Sequence, residues 1–247
     1  MPTYNSPLVK RYKEDGYVIV PNVLDKDLME KAKAHIEQLQ AEYPHLRAEQ
    51  LGTGHVEIDL FWLQLVSDER LLNIAEQFIG PDIALFASHY IAKPPFKGQA
   101  VMWHQDGSFW PLDPMKVITF WVAIDDSDRE NGCLRVFPRT QHQRLLSKAE
   151  MRATPGDENA LSAAMSIEDL NEADAVDLLM KSGDIEIHHP NIIHGSNPNH
   201  SPRWRRGLTI RYIPTSTQMT DPHHAKPFLL RGTAVPHINT YAPYPKE

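Results

Sequence analysis

From Ile83 to Ile213 the chain is written largely as short β-rich runs, and this restricts its fold more than any other feature. The runs are Ile83–Ala92, Val117–Ile124, Cys133–Phe137, Asp184–His188 and Leu208–Ile213, broken by Pro94-Pro95, Asn131-Gly132 and similar turn signals. Short strands punctuated by Pro, Gly and Asn belong to antiparallel sandwiches and barrels. Upstream of Gly80-Pro81 the pattern is helical instead. Residues 7–15 suit a short polar helix and Tyr17–Val20 a brief strand. Asp25 is a good N-cap for a helix over 26–42, where Leu28, Ala32, Ile36 and Leu39 recur at helical spacing. His35 beside that stripe is expected to be structural. A second helix, over 68–79, stops at Gly80-Pro81. Helices first and strands second predict an α+β fold with a mostly β core: a two-sheet jelly roll with N-terminal helices packed against one sheet.

Residues 147–181 interrupt the strands. Leu170, Val176, Leu179 and Met180 interleave with acidic residues there, so a long helical insertion is expected, either an external excursion or a lid between the flanking strands. From Asp221 the chain is rich in Pro and His and has little periodicity. The whole of 1–247 reads as one domain: helical support over 1–82, a jelly-roll core over 83–214 and a tail over 215–247. A chain of 247 residues buries enough surface to fold without disulfide or structural metal. The single cysteine, Cys133, excludes an internal disulfide, favours a reducing compartment and, lying in an apolar run, is expected to be a small buried hydrophobe. A net charge of −7 without a Lys/Arg run argues against nucleic acid or an anionic membrane as partner. No stretch approaches the ~20 apolar residues of a membrane span, and Met1–Asn5 carries no apolar export signal. A cytoplasmic protein is expected.

The chemistry concentrates at Trp103-His104-Gln105-Asp106-Gly107. Alternate side chains of an extended strand share a face, so His104 and Asp106 project together while Gln105 points away. An imidazole and a carboxylate joined by a second imidazole make a facial triad, which holds Fe(II) on one side and leaves the other open. His194, in Asn191–Ser196, is the candidate second imidazole, with His188 and His189 as competitors. Arg205 follows eleven positions after His194, at the head of an apolar-alternating run to Ile213. His-x-Asp alone is equally well an ordinary pair at a strand end.

Five stretches occur in order: Lys93-Pro94-Pro95, Trp103–Asp106, Asn131–Pro138, His194–Ser201 and Arg205-Arg206. Together they resemble the phytanoyl-CoA dioxygenase-like group of Fe(II)/2-oxoglutarate oxygenases and span most of residues 83–214. The resemblance implies a double-stranded β-helix of cupin-like type, with Fe(II), 2-oxoglutarate and O2 as its cofactor and cosubstrates. It implies His104, Asp106 and His194 as metal ligands, His194 being preferred because it alone precedes Gly-Ser and the arginine at the family's interval. Arg205 is then the anchor of the distal 2-oxoglutarate carboxylate, a role suited to a planar, always-charged fork. Ser196 shares the His194 face and can hydrogen-bond the cosubstrate. Trp121 matches a pocket-lining tryptophan of related enzymes, and His89 falls where they place another pocket residue, often Met. On the last strand Gly207, Thr209 and Arg211 share a face, so Arg211 either binds an anionic group of the primary substrate or pairs with an internal carboxylate. The presence of Asp106 favours oxygenation over halogenation. The expected activity is hydroxylation of an aliphatic C–H of a small molecule, with release of succinate and CO2. A non-catalytic jelly-roll ligand-binding module and a metal-dependent hydrolase using the same three ligands are the alternatives; the complete set of His104, Asp106, His194 and Arg205 speaks against the first, and the second gives Arg205 no task.

Overall fold

The computed structural model describes residues 6–154 and 159–246. The N-terminal pentapeptide and residues 155–158 of the insertion lie outside the described residues. The chain opens with α1 (Pro7–Asp15), β1 (Tyr17–Val20), α2 (Lys26–Glu42), β2 (Leu51–Gly52), α3 (Leu60–Val66) and α4 (Glu69–Ile79). The strands β3 (Ile83–Tyr90), β4 (Val101–His104), β5 (Leu112–Asp113), β6 (Ile118–Ala123) and β7 (Leu134–Phe137) follow. After them come β8 (Arg152–Ala153), β9 (Ala163–Ala164), β10 (Val176–Asp177), β11 (Ile185–His188), β12 (Ile193–Ser196), β13 (Gly207–Pro214), β14 (Gln218–Met219) and β15 (Phe228–Arg231).

Two antiparallel sheets face one another as a jelly roll. The larger runs β1-β11-β6-β13-β3-β15, with β2 also on β3; the smaller runs β10-β7-β12-β4. Strand alternation sorts the larger sheet into two faces. Ile118, Phe120, Val122, Ile185, Ile187, Leu208, Ile210 and Tyr212 pack outward against Met29, Ile36, Trp62, Leu65, Leu72 and Ile79 of the helices. Their neighbours Thr119, Trp121, Glu186, His188, Thr209 and Arg211 therefore point inward, toward the smaller sheet. With both faces covered, β6 and β13 are buried along their whole length.

The helices are tied to the sheet by specific polar contacts. Tyr212 donates to the Val66 carbonyl at 2.7 Å, and Trp62 Nε1 to Ser88 Oγ at 3.0 Å. His35 is the structural histidine anticipated, held between Tyr90 Oη at 2.9 Å and Asp59 Oδ2 at 2.8 Å. Asp25 caps α2 through the Leu28 amide at 2.9 Å.

The structure departs from the sequence reading in three places. An additional helix, α3, follows the Asp59 cap; Trp62, Leu63, Leu65 and Val66 are all buried and Gln64 is its one exposed residue, too little to show a helical period. The insertion over 147–181, expected to be helical, contains no α-helix among the described residues, only the 3-10 turns Lys148–Glu150 and Glu172–Asp174 and short strands. Its apolar residues follow an extended chain: β10 pairs with β7, Leu178 and Met180 turn inward, and Leu179 is half exposed. Finally, the larger sheet draws on both flanks of 83–214, taking β1 from the N-terminal part and β15 from the tail. No helix among the described residues is long and apolar enough to cross a membrane.

Candidate metal centre

β4 ends at His104, and the chain turns at once into a 3-10 segment, Asp106–Phe109. Asp106 is thus on a turn, not on the strand, but its side chain still faces His104. Gln105 points away as expected and pins the neighbouring loops, donating to the Asn191 carbonyl at 2.9 Å and accepting from the Leu146 amide at 3.0 Å. β12 pairs with β4 so that His194 stands opposite His104, their rings 4.0 Å apart. His104, Asp106 and His194, all buried, offer ligand atoms within 4.8 Å of one another.

The hydrogen bonds around the trio decide which atoms face a metal. His104 Nδ1 lies 2.9 Å from the Met102 carbonyl and His194 Nδ1 3.1 Å from the Ile192 carbonyl. A carbonyl only accepts, so each Nδ1 carries a proton and each Nε2 is the atom turned toward the trio. The two Nε2 atoms lie 3.4 and 3.8 Å from Asp106 Oδ1. The other carboxylate oxygen, Oδ2, is engaged elsewhere: Thr119 Oγ1 at 3.2 Å, His188 Nε2 at 3.4 Å and Arg211 Nε at 3.9 Å. Two imidazole nitrogens and one carboxylate oxygen converge, the donor set that suits a divalent first-row metal.

Burial alone would raise the Asp106 pKa, but Arg211, His104 and His188 outweigh it and hold the carboxyl well below its usual range. Burial, then His104 and His188, keep His194 neutral. His188, inward on β11, is not one of the trio. Its Nδ1 is 2.8 Å from Glu186 Oε2, and although burial opposes its charge, Glu186 and Asp106 push its pKa up to about 9.

A cavity of about 50 Å³ adjoins the trio and is lined also by Trp121, His188, Ser196, Arg205, Thr209 and Arg211. Arg205 lies over the Trp121 ring at 5.3 Å and is 2% exposed. Its Nε and Nη1 donate to the Gly132 and Ile91 carbonyls, both at 3.1 Å, and its Nη2 is 3.5 Å from Ser196 Oγ. Arg211 lies over Trp110 at 5.3 Å, donates through Nη1 to Thr209 Oγ1 at 2.9 Å, and leaves Nε without a hydrogen bond. His89 stands one layer back, its Nδ1 3.5 Å from Arg211 Nη1; burial, Arg211 and His55 lower its pKa to about 3, leaving it a neutral acceptor.

Arg205, Ser196 and Trp121 thus meet at one end of the cavity, and Arg211 and Thr209 approach it from β13. Leu161 of the insertion also lines it. Sequence reasoning assigned no task to Thr119, Glu186 or Lys93. The usable signal for Glu186 and His188 was their spacing of two on a buried strand, which puts an acid and an imidazole on one inward face.

A profile of the phytanoyl-CoA dioxygenase (PhyH) family matches residues 12–207. The peroxisomal phytanoyl-CoA dioxygenase of Mus musculus is 26% identical over 237 residues, covering 86% of this chain and 69% of that enzyme. Matches to mammalian enzymes of this name cover as little as 46% of their length. Among solved structures, a non-heme monooxygenase, ThoJ in its apo form, superposes with a TM-score of 0.78 at 24% identity, covering 97% of this chain and 88% of that one. EctD from S. alaskensis with 2-oxoglutarate and 5-hydroxyectoine superposes at 0.72 and 21% identity, covering 99% and 93%. These superpositions establish the shared jelly-roll fold, and the profile match spans most of the sequence: the chain belongs to the phytanoyl-CoA dioxygenase (PhyH) family of Fe(II)- and 2-oxoglutarate-dependent dioxygenases.

Proposed function

We propose that this chain hydroxylates an aliphatic C–H of a small, anionic metabolite, with release of succinate and CO2. The observation that carries the reading is the shared cavity: a two-His, one-carboxylate donor set at one side and a buried arginine, Arg205, at the other. His104 and His194 through Nε2, and Asp106 through Oδ1, would hold Fe(II). Arg205 and Ser196 would hold the distal carboxylate of 2-oxoglutarate, with Trp121 as the wall between. Iron, 2-oxoglutarate and O2 supply the oxidising power for the C–H bond when bound. The chain's own part is to fix the ligand face, exclude water and orient the substrate.

Leu161 supports a lid role for the insertion, because it reaches the cavity from a segment bonded along β4: the Ala160 amide donates to the Ala100 carbonyl at 3.0 Å and the Met165 amide to Trp103 at 2.9 Å. Arg211 pairs with an internal carboxylate, Asp106, at 3.9 Å, but its buried Nε makes no hydrogen bond, which supports an anionic substrate group beside it. Trp110, beneath Arg211, meets Phe86 edge-on at 5.8 Å, and Phe86 in turn lines a larger cavity of about 630 Å³ between residues 53–58 and the tail. That cavity has room for the body of a small substrate. The single buried cysteine, Cys133, fits a reducing, cytosolic setting.

The test is an anaerobic titration of the purified protein with Fe(II) and 2-oxoglutarate, followed by a screen of small acids for succinate release. A visible charge-transfer band and substrate-dependent succinate are expected. A folded, metal-binding protein that shows no band would overturn the reading.

A further inference from the structure

Lys93 is fully buried and yet has no carboxylate partner. Its Nζ donates to Ser196 Oγ at 2.6 Å and to the Asn197 carbonyl at 2.5 Å. Arg205, equally buried, reaches the same hydroxyl at 3.5 Å and otherwise meets only backbone carbonyls. The acid whose charge Lys93 feels, Glu49, is committed elsewhere: it accepts from the Gln99 amide at 2.9 Å and lies 3.4 Å from Arg47. Two basic side chains therefore share one buried hydroxyl with no acid between them, and burial and the Arg205 charge hold the Lys93 ammonium well below its usual pKa. A protein interior does not hold such a pair cheaply unless an anion arrives beside it.

We propose that Lys93 is a positioning residue for the distal carboxylate of 2-oxoglutarate, acting through Ser196. The inference rests on the function proposed above and adds to it a residue outside the Arg205 anchor. With an anion nearby the ammonium form of Lys93 is favoured, and an ammonium has donors but no lone pair. Arg205 likewise only donates. Ser196 Oγ, accepting from both, cannot return its own proton to either, so the hydroxyl is set as a donor into the cavity it lines. A carboxylate there receives one hydroxyl hydrogen bond and faces two positive charges, the charge-assisted arrangement that binds carboxylates tightly. Lys93 is not a catalytic residue: it touches neither the cavity nor the metal trio.

The test uses the full chain under anaerobic conditions and reads dissociation constants from the charge-transfer band of the Fe(II) chelate. 2-Oxoglutarate is compared with 2-oxobutyrate, which has the same chelating end but no distal carboxylate. Lys93→Met should weaken 2-oxoglutarate about tenfold while leaving Fe(II) stoichiometry and 2-oxobutyrate affinity as in the unmodified protein. Lys93→Arg should keep most of the preference for 2-oxoglutarate. Ser196→Ala should show a similar loss, and the double variant should be no worse than either single one, because the two act in series. Should Lys93→Met fail to fold, the Ser196→Ala and Lys93→Arg comparison decides the matter. Unchanged 2-oxoglutarate affinity in Lys93→Met, or an equal loss for both 2-oxo acids, would show that Lys93 only props the turn after β12. Lack of a band in the unmodified protein would instead remove the proposed function, and this inference with it.

Discussion

His194 and His104 are register partners across the β12–β4 ladder, with their rings 4.0 Å apart. Two imidazoles far apart in the chain are therefore placed by backbone pairing, and each is oriented by the backbone carbonyl two residues before it. Only the carboxylate, Asp106, depends on a turn, and that turn is held by the Gly107 amide on the Pro190 carbonyl at 2.9 Å.

His194→Ala should abolish stoichiometric Fe(II) binding in an anaerobic titration, whereas His188→Ala should retain one equivalent, because His188 meets the Asp106 oxygen turned away from the trio. Equal loss in both variants would place His188 among the ligands.

Arg205→Met should weaken 2-oxoglutarate by about 10- to 100-fold, the range of a lost charge-assisted hydrogen-bond pair, with Fe(II) binding retained. The chelate band, titrated with 2-oxoglutarate, measures it.

Arg211→Met should raise the KM for the primary substrate about tenfold or more and leave 2-oxoglutarate affinity unchanged, since its Nε makes no hydrogen bond and pairs with Asp106 at 3.9 Å. A parallel loss of both affinities, read from succinate release and the chelate band, would assign Arg211 to supporting Asp106.

Gly207→Ala should destabilise the protein by about 1–3 kcal/mol. A Cβ at Gly207 would stand 2.2 Å from the Trp121 ring, and Trp121 is the surface on which Arg205 lies. Chemical denaturation should show the loss, and the 2-oxoglutarate titration should weaken with it. A variant as stable as the parent would mean that Trp121 yields freely.

Cys133 should resist alkylation in the native protein at pH 8. Burial, then Asp177, push its thiol up to about 11, so almost none is thiolate three units lower. One equivalent should react on unfolding, and rapid labelling of the native protein would contradict its burial.

Much of this molecule could be read before it was seen, where local signals sufficed. The β-rich runs became strands at their expected places, and the Asp25 cap began its helix. Residues spaced by two along β12 and β13 shared faces as alternation requires. Where packing decided, reading failed. α3 has one polar residue, Gln64, in seven, so its period does not show. Val176–Met180 looked helical by composition, but pairing with β7 satisfies its backbone in extended form. Phe228–Arg231 is a half-buried run of four whose strand character comes only from lying beside β3. At the site, His104, Asp106, His194 and Arg205 carry short-range spacing that can be recognised. Lys93 and Ser196 are separated by 103 residues, and no local pattern announces a contact of that kind.

The bonding of residues 160–165 along β4 has a mechanical consequence. The strand that ends in His104 is clamped on one side by β12 and on the other by the segment carrying Leu161. Leu161 in the cavity wall and the imidazole of His104 are therefore carried on hydrogen-bonded neighbours. A change that loosens this segment therefore also loosens the strand that carries His104.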